Sequence, residues 1–590
     1  IRAWVETGEP RLVQDAGGQW YTADNAALDV TGDIDLRVDV EPRTWRPGAT
    51  VYAGLVKGGA YALLLAPDGR LGMSWTTGST AAVLWSSVPV PGGITGRKAI
   101  RAVLDVNDGA SHHLATFYTS DTLAGTWTQL GAVVEGVGTT SIANSTETLG
   151  TFTSEPARVF AVQVRNGIGG TIVANFTTTG QTSGATSVTD SAGRVWQPAT
   201  RSDLTSRHYL FVGEVSEWPQ RWSESGANSA YAPIECASLV RRLNQGTSPV
   251  RSALRRGIES NRTALAGYWP LEDGSRAQAF AAAVGTGTGQ IVGGSAEVSP
   301  SAYTGFVSSL GLPTVTTGSI YMPVPAHGGT GQVQVRWLMH LESAPADGAI
   351  LLRAGTGSTV GRIDVRYSTT GGGFYAELWS HLGVLGHTTP TLAVTPLVGR
   401  DMRLSVEMRQ SGADVLIRLV SLEQGASVGY YSDSTKTGLT LGPLTYVQIN
   451  PGRVDLGGAA FGHVTAEKAI TSLFDVQDEF RAFVGERADT RMLRLAADNG
   501  LPLSVVGAGA GAERMGAQRP AALLELIGQC ADSDGGVLVE PYEDNALRYR
   551  TLESLWGQSA AVTLDHGTGA AAGGRLTIEP VDDDDGRSEE

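Results

Sequence analysis

The sequence predicts a mainly β chain, two layered antiparallel sandwiches joined by smaller α+β pieces. Three observations predict it. Short runs of alternating apolar and polar residues recur along most of the chain, and such alternation places successive side chains on opposite faces of a half-buried strand. Gly is abundant, 77 of 590 residues, and separates those runs together with Pro, Asp and Asn, which is turn chemistry. Charged residues make up 17% against 41% hydrophobic, enough apolar surface for packed cores and too little charge for a disordered or coiled-coil chain. A chain of 590 residues exceeds one core, and three or four domains of about 100–200 residues are expected.

Residues 1–200 are predicted to form the first sandwich. Ile34–Val40 alternates; Tyr61–Leu65 and Leu71–Trp75 flank the turn Pro67-Asp68-Gly69 as a hairpin; Ile100–Val106, Leu114–Tyr118 and Val159–Val164 continue the series with no helical period between them. Residues 201–263 change character. Tyr209–Val215 is a strand, Ile234–Leu243 has the spacing of a short amphipathic helix, and Arg251, Arg255 and Arg256 form a basic cluster on a second helix. Residues 264–470 return to strands at Val333–Met339, Ile363–Tyr367, Phe374–Trp379, Met402–Met408 and Val415–Leu419, a second copy of the first architecture diverged in sequence. Residues 471–590 are mixed. Asp478–Asn499 predicts one or two helices ending at Gly500, Pro520–Cys530 another, and Gly536–Glu540 with Ala546–Arg550 a hairpin around Glu543–Asn545.

Charge and cysteine content exclude several functions. A net charge of -15 repels phosphate backbones and offers no basic patch to anionic membranes, so no nucleic acid is expected as a partner. No stretch approaches the roughly 20 apolar residues of a membrane span. Two cysteines, Cys236 and Cys530, cannot supply a disulfide framework or a Cys-ligated zinc site, and two buried thiols are expected. Ile1-Arg2-Ala3-Trp4 has neither Met nor a signal-peptide layout, so a cut or processed chain is expected, and the acidic run Asp582–Asp585 reads as a solvated tail.

Two resemblances sharpen this picture. Trp20–Asp24 leading into Asp33–Val40, then Tyr61–Leu65 with Gly72–Trp75, then Tyr268–Asp273, resemble in their order the laminin-G-like, concanavalin A-like jelly-roll sandwich, over roughly two thirds of the chain. Phe211–Trp222, Pro233–Ala237 and Leu239–Gly246, with Phe483–Ala488, Glu513–Gly516, Asp534–Leu538 and Leu547–Arg550 through Leu564-Asp565, are similar to minor tail proteins of actinobacterial phages and prophages. The second resemblance implies a structural, non-enzymatic component of the virion tail tip. Residues 201–263 and 471–590 would be two parts of one hub, with the sandwich 264–470 inserted between them. It further implies a homotrimer, distal-tail and tape-measure proteins as partners, and sandwiches that bind host cell-wall polysaccharide or teichoic-type glycans. The chain departs from the family in lacking a complete hub segment before the first sandwich and in stopping early, so a fragment is expected. An extracellular lectin-like adhesin and a polysaccharide-degrading enzyme are the competing readings.

Candidate chemistry follows from spacing. Retaining hydrolysis needs two carboxylates about 5–5.5 Å apart, and no Glu-x-Asp-x-Glu run places them on one strand face. Asp33, Asp35 and Asp39 share a face and read as solvated. His112-His113 point to opposite faces, and neither His381 nor His387 has metal-ligand spacing, so no catalytic residue is assigned. Gly507–Gly511 is followed by no Lys-Ser/Thr and reads as a flexible loop. No cofactor is expected, calcium excepted: Asp105, Asn107 and Asp108 form an oxygen-rich turn, for which a plain Asx turn is the competing reading. Trp75, Trp85, Tyr118 and Trp127 in the first sandwich, and Trp337, Tyr375 and Trp379 in the second, stack on sugar faces wherever they are exposed, although most Trp at strand positions belong to cores. Trp218, Pro219 and Trp222 are the candidate assembly interface.

Overall fold

The computed structural model describes residues 2–14, 19–42, 44–46, 52–91, 96–152, 157–199, 202–218, 221–222, 230–231, 234–245, 248–393, 396–507, 511–541 and 545–556. The chain is mainly β and falls into two compact units, one of residues 1–241, 489–513 and 534–590, the other of 242–488 and 514–533.

The first unit holds a sandwich of two antiparallel sheets. One has the spatial order Thr128–Gln129, His112–Ser120, Lys98–Asp105, Ile34–Pro42, Ala157–Asn166, Arg2–Gln14, Ser202–Val212, with Val134–Val137 also on His112–Ser120 and Thr171–Thr177 also on Ala157–Asn166. The other runs Val188–Thr189, Val195–Pro198, Gln19–Thr22, Leu149–Phe152, Tyr52–Lys57, Tyr61–Leu65, Arg70–Thr77, Thr80–Pro89. Alternate residues of both sheets meet in one core that includes Trp20, Leu36, Val38, Leu63, Met73, Phe117, Phe176 and Trp196. The expected hairpin turns at Gly69, whose φ of +87° suits glycine.

The second unit contains the same sandwich with its chain permuted. Its eight-stranded sheet runs Ala279–Phe280, Gly289–Val292, Ser319–Pro323, Leu444–Ile449, Ile350–Thr356, Arg362–Ser368, Gly373–Trp379, Leu385–Thr388, matching the first eight-stranded sheet strand for strand. The edge pair comes late in the first sandwich and early in the second. The facing sheet runs Val298–Tyr303, Leu312–Val315, Ala459–Glu467, Gln332–His340, Asp401–Ser411, Asp414–Glu423, Tyr430–Thr437, with Leu265–Trp269 also on Ala459–Glu467. In the first sandwich Ala157–Asn166 and Thr171–Thr177 are joined by a turn at 167–170; their counterparts Ala459–Glu467 and Leu265–Trp269 are the two ends of the second. Conversely, the paired ends Arg2–Gln14 and Ser202–Val212 correspond to the consecutive strands Leu312–Val315 and Val298–Tyr303. Adjacent chain ends make such a permutation cheap, because the same strand neighbours and core are kept.

One outer face of the second sandwich is closed. Leu338, Val420 and Leu422 pack against Leu254 and Ile258 of helix Ala253–Ser260 and against Leu473, Val476 and Phe480. Charged groups are trapped beneath: Arg403 donates to the Leu473 carbonyl at 2.8 Å, and burial together with the neighbouring Arg336 pushes its guanidinium down to about 9. The opposite outer face, on the eight-stranded sheet, carries polar and aromatic side chains and is described below.

The smaller pieces differ in detail from expectation. The helix expected over Ile234–Leu243 is only Leu239–Asn244, because Glu235–Ala237 pairs with Glu214–Glu217 as strand. Arg251 precedes the second helix, and with Arg255 it clasps Glu259 at 2.7 and 2.9 Å. Helices occupy Gln477–Phe480, Ala488–Asp498 and Leu523–Asp534. Val537–Val539 and Leu547–Arg550 form the expected hairpin, to which Leu503–Val506 adds a parallel strand too short to show a period. Within the first unit Val240 N–H donates to Glu540 at 2.8 Å, and Asn545 Nδ2 to Glu214 at 3.2 Å.

Asp190 closes the first core near Trp196. Its carboxylate accepts from Trp196 Nε1 (2.9 Å), Asn175 N (2.8 Å), Ala192 N (2.8 Å) and Arg194 N (2.9 Å). Asp190→Ala leaves the indole N–H of a fully buried Trp without an acceptor. A loss of about 2–3 kcal/mol is expected, read as a lower denaturant midpoint, and an unchanged midpoint contradicts it.

Candidate functional site

Strand parity decides which aromatic side chains are available. Trp75 shares its face with Leu71 and Met73, is 2% exposed, and donates its indole N–H to Thr140 Oγ1 at 2.9 Å. It is a core residue and offers no ring to a ligand, which corrects its place among the sugar-binding candidates. Trp337 is buried against Phe374 and is excluded in the same way. Trp85 is half-buried on the edge strand Thr80–Pro89, its ring lying over Gly72, where a Cβ would meet it at 2.5 Å. Tyr118, Trp127, Tyr375 and Trp379 are half-buried on outward faces.

The outer face of the first sandwich's nine-stranded sheet carries a row of polar residues. Register places Asn175, Gln163, Arg37, Arg101 and Tyr118 side by side on five neighbouring strands, with Asp35 opposite Arg165 in the next row. Asp35 is fully buried. Arg37 grips it side-on at 3.0 and 2.7 Å, Arg101 at 2.9 and 2.9 Å, and Gly169 N–H adds a fifth donor at 3.1 Å. Burial alone raises the Asp35 carboxyl, but the hydrogen bonds and charges of Arg37 and Arg101 outweigh it and hold it below the usual aspartate value. The Trp127 ring lies 5.6 Å from the Arg37 guanidinium and 6.0 Å from that of Arg101, and Tyr118 lies 4.7 Å from Arg101. Asp39, likewise buried, pairs with Arg97, which stacks on Phe160 at 3.6 Å. Asp35 and Asp39 are therefore not the solvated acids expected from their alternation, because arginines and aromatic rings from other strands and loops cover them.

The eight-stranded sheet of the second sandwich bears a related arrangement on a sheet that is not the counterpart of the first. Tyr321, Gln448, Arg353, Asp364 and Glu377 form one row across neighbouring strands, and Tyr446, Gly355, Arg362 and Trp379 form the next. Tyr321 and Tyr446 stack at 5.4 Å, and an edge of the Tyr446 ring closes on Gly355, where a Cβ would sit 2.1 Å from it. Arg362 stacks on Trp379 at 4.8 Å. Asp364 is gripped by Arg353 at 2.5 and 2.9 Å and by Arg362 at 3.3 Å; Glu377 accepts from Arg366 at 2.7 Å and from Trp379 Nε1 at 3.1 Å. Asp364 and Glu377 face each other on adjacent strands, but both are engaged by donors, so they serve this face as fixed acceptors. Tyr321 and Tyr446 were not singled out from sequence. The signal was present: Ile320 and Met322, and Val447 and Ile449, face the core, which turns the tyrosines outward.

Other candidates fall elsewhere. The turn at Asp105, Asn107 and Asp108 spends side-chain oxygens on its own backbone: Asn107 N, Gly109 N, and Ala110 N with His112 N donate to them at 3.0, 3.1, 2.8 and 3.0 Å. Among the described residues no group of three or more His, Cys, Asp or Glu is arranged to hold a metal ion. Trp218 is 63% exposed just after Glu214–Glu217; Pro219 lies outside the described residues; Trp222 belongs to a two-residue strand, and its side chain also lies outside the description. Cys530 is buried as expected, but Cys236 is exposed, because Glu235–Ala237 lies outside the cores. The acidic run at 582–585 and residues 508–510 of the Gly-rich loop lie outside the described residues.

No family model matches the chain, and neither does any curated protein. Among solved structures it is similar to mouse laminin alpha1 chain domains LG4-5, at 10% identity and a TM-score of 0.20, over 79% of this chain and 88% of that one. It is similar to a Trypanosoma rangeli sialidase in complex with sialic acid, at 11% identity and a TM-score of 0.26, over 72% and 78%. It is also similar to alginate lyase vAL-1 from Chlorella virus, at 10% identity and a TM-score of 0.21, over 37% and 99%. The sandwich assignment stands on the strand pairing given above.

Proposed function

We propose that this protein binds sugar polymers through the outward faces of its two sandwiches, as a structural component of a phage tail tip. One observation carries the sugar-binding part: on the second sandwich, the Tyr321–Tyr446 stack continues along the strand register into the Arg362–Trp379 stack on an outer sheet face that also bears Arg, Asp, Glu and Gln. Outward-facing rings present apolar faces to the C–H side of a sugar ring, and fixed charged groups beside them hydrogen-bond its hydroxyls. The tail-tip setting is supported by the resemblance of Phe211–Trp222 and Phe483–Ala488 to actinobacterial phage tail proteins. The hydrogen bonds from Val240 to Glu540 and from Asn545 to Glu214, which tie the first flanking segment to the last, agree with it. In that setting the partners are distal-tail and tape-measure proteins, in a trimer.

Retention of the purified chain on actinobacterial cell walls tests the binding. The double variant Trp379→Ala, Tyr446→Ala is expected to lower wall affinity about tenfold or more with folding intact, as for buried aromatic anchors. Unchanged affinity would falsify the assignment of this face. Release of soluble sugars from the walls would favour a polysaccharide-degrading enzyme instead. Antibody labelling of virions anywhere but the tail tip would defeat the tail-tip setting, and label found on the cell surface instead of on virions would favour an extracellular adhesin.

A further inference from the structure

The two outward faces differ in charge balance. On the second, Arg353, Arg362 and Arg366 are set against Asp364 and Glu377. On the first, Arg37, Arg101 and Arg165 cluster around one carboxylate, Asp35, beside the neutral Gln163 and Asn175, while Asp39 and Glu41 further along the strand are matched by Arg97 and Arg158, in a chain whose net charge is -15. Each guanidinium has five N–H donors in a planar fork. Arg37 and Arg101 both spend their Nε and Nη2 edges on Asp35, so the Nη1 group of each points away from it and has no hydrogen-bond partner among the described residues. Arg165 is held by Gln163 Oε1 at 2.7 Å through Nε, and by the Gly169 and Gly170 carbonyls through Nη1, which leaves Nη2 without a partner there. These side chains are fixed in advance: Arg37 and Arg101 are 11% and 13% exposed. Burial and repulsion from Arg37 lower the Arg165 guanidinium below its ordinary range, a cost that an arriving anion relieves. Trp127 stands over Arg37 and Arg101 from the loop beyond their strands.

We infer that this face is a subsite for a sugar polymer carrying an oxyanion, with Arg37, Arg101 and Arg165 supplying donors to the charged group and Trp127 a ring for the sugar that bears it. The inference rests on the proposed sugar-binding role and names the ligand class for the first sandwich. Carboxylate and phosphate oxygens meet the same donors, so the test separates them. Affinities of the full chain are measured for polygalacturonate, a glycerol-phosphate polymer, neutral dextran and a single-stranded DNA of similar charge. At least one anionic glycan is expected to bind ten times or more tighter than dextran, with the preference gone at 1 M salt, where screening acts over about 3 Å. Arg165→Gln is expected to lower that affinity about tenfold, the size of one charge-assisted contact, and to lower dextran binding by clearly less. Trp127→Ala, which removes a ring over Arg37 and Arg101 but none of the hydrogen bonds that hold Asp35, is expected to weaken the same polymer and serves as the deciding variant if Arg165→Gln lowers the melting temperature. Equal affinity for dextran and the charged glycans, no response to either variant, or equally tight DNA overturns the inference. Failure of every glycan to bind the unaltered chain counts instead against the sugar-binding role itself.

Discussion

Replacing Asp35 with Ala is expected to destabilise the first sandwich by about 3–5 kcal/mol, the range for removing one member of a buried ion cluster. The carboxylate is fully buried and accepts from Arg37, Arg101 and Gly169. Without it two nearly buried guanidiniums face each other with no counter-charge. The cost lies in the stranded charges, so it should be recoverable: Asp35→Leu combined with Arg37→Met and Arg101→Met removes all three charges and is expected to restore most of the stability. The effect also depends on pH. Asp35 titrates below the ordinary aspartate value in the folded chain, so its contribution is fully present above about pH 4 and is lost as pH falls through its folded value. The unaltered chain and Asp35→Ala should therefore converge in stability toward low pH. A difference under about 1 kcal/mol at neutral pH, or one that widens in acid, would be incompatible with the cluster as drawn.

How much of this was legible in the sequence depends on the distance over which each fact is decided. Alternation is local, and it located the strands of both sandwiches, including Ile34–Pro42 and Gly373–Trp379. Parity is also local and distinguishes two tryptophans: Trp75 shares parity with Leu71 and Met73 and is buried, whereas Trp379 shares it with Tyr375 and Glu377 and faces outward. The burial of Asp35 was not legible, because its cover arrives from Arg101, 66 residues away, and from the loop bearing Trp127. The permutation between the sandwiches was illegible for the same reason. Periodicity identifies a strand but not its neighbour, and only pairing reveals that Leu265–Trp269 stands where Thr171–Thr177 stands in the other copy. Where the structure departs from expectation, the cause is a non-local partner: Glu214–Glu217 recruits Glu235–Ala237 out of a helix.

The second large effect is expected in acid, at a network that local pattern did not flag. Within the second unit, Tyr268 Oη and His463 Nδ1 lie 2.8 Å apart, His463 Nε2 and Ser309 Oγ 2.9 Å apart, and Glu272 Oε1 accepts from Ser309 Oγ at 2.9 Å and from Leu310 N at 2.8 Å. Glu272 also lies 3.3 Å from His463 Nε2, and the whole group is buried. It ties the strands Leu265–Trp269 and Ala459–Glu467 to the segment after Phe306. Burial alone would raise the Glu272 carboxyl, but attraction to His463 and the hydrogen bonds of His463 and Leu310 bring it down to about 2. A carboxyl lowered by that much contributes about 3 kcal/mol above its unfolded value near pH 4, and the contribution disappears as pH falls toward 2. Glu272→Gln keeps an acceptor for Leu310 N but removes both the charge and the titration. At pH 7 it is expected to cost about 3 kcal/mol, and by pH 2 the deficit should have shrunk to a few tenths of a kcal/mol, because the native glutamate is then about half protonated. Denaturant midpoints measured from pH 7 to pH 2 on both chains decide the matter; a deficit that stays constant across that range would mean that Glu272 acts by shape and hydrogen bonding alone, with no part played by its charge.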